Sequence, residues 1–255
     1  LEGLFSYNKV RLSVFVFFKG GITMNRISIE SKFITNEILF ELKRAEELKI
    51  AKDLQEFLLQ SEFPWRALGK PLTQFVENCI NKIDKSERIK GKVSDQAYLE
   101  NKEQIVICEG AVVEPGAYIA GPTFIGPNAI VRHGAYVRGS VYISEGAVVG
   151  HTTECKGSIL LPFAKAAHFN YVGDSILGYD CNLGAGTKLA NLKMNHKNII
   201  IALDNKKVDT GLKKFGAILG NRAQTGCNSV TNPGSIMLPE TVLLPNHTSL
   251  GVIRR

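Results

Sequence analysis

Arg138, Lys156 and Lys197 are three cations placed around one histidine, His168, and one tyrosine, Tyr171. Arginine and lysine together can hold a phosphate, the arginine through its two-pronged guanidinium. A neutral imidazole, with an ordinary pKa of about 6.5, can take a proton from an attacking amine near neutral pH. Arg138 and Lys156 are 18 residues apart, and Lys156 and His168 are 12 apart. Singly, each cation reads as solvated surface, and His168 reads equally well as a histidine lining a structural element. Together they could hold a phosphate beside a group able to accept a proton.

Both separations are multiples of six, and six is the period of the elements around them. An aliphatic residue, once a cysteine, recurs at Ile107, Val113, Ile119, Ile125, Val131, Val137, Ile143, Val149 and Cys155. Four residues after each stands a small or β-branched one: Ala111, Ala117, Thr123, Ala129, Ala135, Val141, Ala147, Thr153 and Ile159. Gly and Pro fill the intervening turns, as in Pro115-Gly116 and Gly126-Pro127. A helix repeats at 3.6 residues and a simple strand at two, so neither accounts for this rhythm. Repetition at six marks a β-solenoid, in which one residue per short strand points inward and neighbouring coils complete the core. The rhythm returns at Leu177, Leu183 and Leu189, and again from Leu219 to Leu243. Between Asn191 and about residue 217 it lapses into a lysine-rich segment, a candidate ligand-covering loop.

Upstream the pattern is helical. Ile38, Leu39, Leu42, Ala45, Leu48, Ala51, Leu54, Phe57 and Leu58 predict a helix over Asn36 to Gln60, capped by Thr35 or Asn36. A second is predicted over about Leu72 to Lys82, the two forming an α-hairpin that could cover one end of the solenoid. Residues 1–23 read as a leader, 24–104 as a helical N-terminal region and 105–255 as the solenoid.

Composition sets the remaining bounds. Of 255 residues 44% are apolar, and no run approaches the roughly 18 apolar residues of a membrane span, so no membrane association is expected. The 31 basic and 24 acidic residues leave a formal charge of +7, compatible with a small anionic ligand and too mild to demand nucleic acid. Five cysteines without a C-x-x-C pair suggest neither a zinc site nor a disulfide framework, and a reducing cytoplasm suits them.

The hexapeptide region resembles the hexapeptide-repeat acyltransferases. His168-Phe169-Asn170-Tyr171-Val172-Gly173-Asp174, followed by Asn182-Leu183-Gly184-Ala185-Gly186-Thr187, is similar to the acetyltransferase half of the bifunctional enzymes that make UDP-N-acetylglucosamine. The resemblance is close from Arg138 to Lys197 and extends more loosely over the whole repeat. It implies a mainly β fold, a left-handed parallel β-helix with three hexapeptides per coil, although the usual crossover rule would give the opposite hand. It implies an N-acetyltransferase that uses acetyl-CoA as donor and a glucosamine-1-phosphate-like acceptor, works as a homotrimer with sites between subunits, and needs no metal. By the same carry-over His168 is the general base, with Glu154 orienting it or the amine. Arg138 and Lys156 bind the phosphate, and Tyr171, Asn182 and Lys197 complete the acceptor pocket. Ala185 and Asn191 contact the acetyl-CoA.

Three departures qualify that picture. Residues 1–104 contain no Gly-rich nucleotide loop, so uridylyl transfer is not expected. Leu192 stands where the bacterial enzymes carry an aromatic residue. The stretches Lys214 to Gly220 and Thr225 to Asn228 look more like archaeal-type sugar nucleotidyltransferase tails. Two other readings are therefore kept: a non-catalytic β-helix for oligomerisation or ligand sensing, and an acyltransferase drawing on acyl-carrier protein.

Overall fold

The computed structural model describes residues 30–254, so the expected leader at 1–23 lies outside the described residues. The fold is mainly β, the left-handed parallel β-helix expected, with short helices ahead of it. Three parallel sheets of eight strands form the faces of a prism. The first face runs from Lys92–Val93 to Val242–Leu243, the second from Tyr98–Glu100 to Thr248–Ser249, and the third from Ile105–Ile107 to Val252–Ile253. Strands therefore begin at Lys92, ahead of the residue-105 boundary. Leu99 and Ile107, in-facing on successive strands, are eight residues apart because a 3₁₀ turn at Lys102–Gln104 intervenes.

The six-residue rhythm becomes a column of buried side chains. Every aliphatic from Ile107 to Val149 is fully or almost fully buried, as is Cys155, and the small residues that precede each strand fill the corners. Burying one such aliphatic contributes about 1.5–3 kcal/mol. Most corners also use a residue with positive φ, supplied by Gly116, Gly134 and Gly186 but also by Thr152, Phe169 and Asp174. The rhythm then shortens. Leu160, not Leu161, follows Cys155 inward, and Leu177 follows Val172, each after five residues. Ser158 consequently occupies the small-residue slot expected for Ile159, and Ile159 faces outward beneath Ile176.

That outward turn has a purpose in packing. Val106, Tyr142, Ile159, Ile176, Ile218 and Ile236 form an apolar stripe down the third face, and the N-terminal helices lie against it. They cover a side of the prism, where the sequence suggested an end, because its apolar surface is on the side. The predicted long helix is broken into α1 (Asn36–Phe40) and α2 (Lys52–Leu59). Thr35 caps α1, accepting from the Ile38 N–H at 3.3 Å, and Glu41 ends it in the left-handed conformation. Buried Leu39, Phe40, Leu42, Ala45, Leu48 and Ile50 are too closely spaced for one helical stripe, and the break brings them all inward. The second helix, α3 (Lys70–Asn81), buries Phe75, Val76, Cys79 and Ile80.

Where the rhythm lapses, the chain forms an antiparallel hairpin, Ile200–Leu203 with Lys206–Asp209. Ile199, Ile201, Leu203 and Phe215 join the same hydrophobic cluster as the helices, so most of this segment is anchored to the helical layer. Residues 194–197 stay exposed.

Candidate active site

The sites of interest lie on the second face and along its two edges. The outward positions of that face stack in register: Tyr98, Tyr118, Tyr136, Glu154, Tyr171 and Lys188. Val137 pairs with Cys155, which places Arg138 directly beneath Lys156 at the edge shared with the third face. Coils are about 4.8 Å apart, so the 18-residue spacing has brought two cations together.

Each of these cations has a carboxylate partner. Arg138 Nη1 donates to Glu154 Oε1 at 2.6 Å, and its guanidinium lies 5.7 Å from the centre of the Tyr136 ring. Lys156 Nζ donates to Asp174 Oδ2 at 2.8 Å, and the same oxygen accepts from Asn191 Nδ2 at 2.5 Å. Tyr171 lies half-buried beside them. Burial first, then the Glu154 and Asp174 carboxylates, raise its pKa above the ordinary phenol value, so its hydroxyl stays protonated. Gly173 explains how these groups fit: a Cβ there would come within 2.7 Å of Tyr171 Oη and 2.9 Å of Asn191 Nδ2. A cavity of about 210 Å³ opens beside the cluster, lined by Arg138, Ser140, Lys156 and Asp174 and, from the helical layer, by Gly69 and Thr73. Thr73 and Ser140 share a hydrogen bond of 2.9 Å between their hydroxyls.

His168 stands on the opposite edge of the second face, where it meets the first, and is exposed. It lies in register above His151, whose ring stacks on His133 at 5.7 Å, while Phe169 packs edge-on against His151. His151 is five residues before Lys156, so one face separates the two edges, roughly 16 Å at about 3.3 Å per residue. Ala185 sits in the turn one coil above, where Gly186 N–H donates to the His168 carbonyl at 2.9 Å.

The structure thus gathers Arg138, Glu154, Lys156, Tyr171 and Asn191 into one cluster and sets His168 and Ala185 on the neighbouring edge. Asn191 joins the group proposed for the acceptor, through Asp174, although it was expected on the donor side. Asn182 is on the first face, between Lys165 and Gln224, apart from Tyr171. Lys197 projects from the exposed part of the excursion. Asp174 and Thr73 were not anticipated as site residues. Asp174 closes the His-x-x-Tyr-x-Gly-Asp motif and stands 18 residues after Lys156, the same interval that separates Arg138 from Lys156. In this 17-residue coil Gly173 pairs with Lys156 and Asp174 follows at the corner. Nothing in the sequence ties Thr73 to the β-helix. Among the described residues no group of three or more His, Cys, Asp or Glu is arranged to hold a metal ion. A larger cavity, about 570 Å³, lies between α2 and α3 and includes none of these residues.

Comparison with known proteins follows the same stretch. A bifunctional sugar-1-phosphate nucleotidylyltransferase/acetyltransferase from Sulfurisphaera tokodaii is 31% identical over 187 residues, covering 72% of this chain and 46% of that protein. The bifunctional protein GlmU of Methanococcus aeolicus is 33% identical over 171 residues, 67% of this chain and 41% of that one. The chain therefore spans less than half the length of these relatives. Among solved structures, a hexapeptide transferase family protein from Anaplasma phagocytophilum covers 64% of this chain and 75% of its own, with 17% identity and a TM-score of 0.33. The family model described as the GMPPB C-terminal domain matches residues 119–249, just over half of the sequence. By that match, centred on the β-helix and its site-bearing coils, the chain belongs to the GMPPB C-terminal domain family.

Proposed function

We propose that this β-helix is an acetyltransferase that carries the acetyl group of acetyl-CoA to the amine of a glucosamine-1-phosphate-like sugar, in the synthesis of cell-envelope precursors. The observation that carries the reading is the cluster on the second face. Two stacked cations, a protonated phenol and three amide or carboxylate partners (Glu154, Asp174 and Asn191) lie on one platform, with an exposed imidazole at its far edge. A hexose phosphate and the reach of two side chains can fill the span between them. His168 takes the proton from the sugar amine while its nitrogen attacks the thioester carbonyl. The tetrahedral intermediate then collapses, the C–S bond breaks, and CoA leaves as the thiol, its sulfur taking the proton that His168 removed from the amine. The face contributes positioning, proton removal and stabilisation of the oxyanion.

Arg138 and Lys156 would grip the phosphate and Glu154 would orient the base or the amine. Asn182 and Lys197 lie off this platform, which fits a homotrimer whose sites draw residues from neighbouring copies. A soluble, cytoplasmic setting accords with such substrates. The test is release of CoA thiol from acetyl-CoA in the presence of glucosamine-1-phosphate. His168→Ala should lower that rate by about 10²–10⁴-fold; an unchanged rate would remove His168 from the mechanism.

One observation favours a non-catalytic binding module. Arg138 and Lys156 are each already neutralised by a carboxylate, Glu154 and Asp174. Sugar-phosphate binding without any acetyl transfer would decide for that reading.

A further inference from the structure

Along the edge that carries His168, one inward corner position repeats on every coil. It is Ala117 and Ala135 on the earlier coils, then changes to Thr153, Asn170, Thr187 and Ser229. The change to polar residues begins at the coil that bears His151, takes in those of His168 and the Gly184-Ala185-Gly186 turn, and continues one coil beyond. Asn170 is the one amide in the run. Alanine would fill the corner at no polar cost, whereas a buried amide must have its hydrogen-bonding groups matched. Asn170, 3% exposed, has them matched across three successive coils. Its Oδ1 accepts from the His168 N–H at 3.1 Å, its Nδ2 donates to the Gly184 carbonyl at 2.8 Å, and its own N–H donates to Thr153 Oγ1 at 3.2 Å. Thr153 Oγ1 in turn donates to the Ala166 carbonyl at 3.1 Å. The Gly186 N–H closes the circuit on the His168 carbonyl.

We propose that Asn170 is a positioning residue that fixes the separation between the His168 backbone and the Gly184–Gly186 turn. It rests on the acetyltransferase reading, in which His168 is the base and that turn meets the acyl donor. Asn170 touches neither substrate. It holds the base and the donor-side turn, stacked on one edge, in a single frame, and a displacement of about 1 Å in such a frame can cost about 100-fold in rate.

The experiment is a double-mutant cycle on acetyl transfer. Asn170→Ala should lower kcat by about 10–100-fold and leave the KM for the amino-sugar phosphate within about twofold. In a His168→Ala background there is no base left to misplace, so Asn170→Ala should cost less than about threefold more. An equal loss in both backgrounds is the signature of a merely structural role and overturns the proposal. Should Asn170→Ala not fold, Asn170→Ser keeps a hydroxyl for the His168 N–H but falls short of Gly184; wild-type kinetics in that variant also overturn it. If the wild-type chain binds acetyl-CoA but transfers nothing, the functional reading fails separately. Calorimetry then decides: Asn170→Ala must weaken acetyl-CoA binding at least about fivefold, and unchanged affinity refutes the proposal. A wild-type chain that neither binds nor transfers overturns both.

Discussion

Replacing Asp174 by alanine removes a carboxylate that two partners share. Lys156 Nζ and Asn191 Nδ2 both donate to its Oδ2, and the Lys156 and Asp174 side chains are 17% and 13% exposed. Removing one member of a fully buried ion pair costs about 3–5 kcal/mol, because a charge is left without compensation. An exposed pair is worth about 0–1 kcal/mol. Lys156 borders an open cavity, so its freed ammonium can turn partly to water. The expected cost lies between the two limits, at about 2–3 kcal/mol. Urea unfolding of the wild type, Asp174→Ala, Lys156→Met and the double variant measures it. The double variant should be less destabilised than the sum of the singles by about 1–2 kcal/mol. A mostly buried pair is poorly screened, so the effect should persist in high salt. A loss below about 0.5 kcal/mol with no coupling would show that the pair is a surface contact, and the account of this edge would be wrong.

Three further outcomes are expected. Ile218→Ala, towards the C-terminal end of the third-face stripe, should lower unfolding free energy by about 2–5 kcal/mol; a loss below about 1 kcal/mol would mean that the helical layer rests loosely on the prism. Burial pushes the Cys155 and Cys181 thiols up to about 12 and the Cys79 thiol to about 11. The unfolded chain sheds these protons from about pH 8.5 while the folded chain keeps them, so stability should be steady below that pH and fall as pH rises towards 12. A thiol reagent at pH 8 should label exposed Cys227 at once and Cys155 and Cys181 only on unfolding. Prompt labelling of Cys155 in the native protein would contradict its placement inside the coil.

The β-helix was legible because its inward position is an aliphatic residue, once a cysteine, repeated in strict phase from Ile107 to Cys155. The five-residue steps were not. Ile159-Leu160-Leu161 and Ile176-Leu177 are runs of aliphatics in which either phase offers an apolar residue inward, so only the pairing of strands reveals the slip. The helical layer was legible as helices but not as a side covering, since its partners are outward residues scattered from Val106 to Ile236. At the site, the 18-residue interval announced the stacking of Arg138 on Lys156. Lys156 and Asp174 are the same 18 residues apart, so that contact was legible too and was missed, while Asn170 reaches its corner slot, four residues after inward Ala166, only once the five-residue slip is counted. The switch from Ala135 to Thr153 in that slot was visible, and it was the available signal.

A stack in which each coil touches only its neighbours is free to peel from either tip, as a zipper does. The helices resting on Val106, Tyr142, Ile159, Ile176, Ile218 and Ile236 span most of the column's height. Loosening a terminal coil must therefore disturb a bracing beam that leans equally on the middle. Such a beam converts a string of weakly tied rungs into a body that yields all at once.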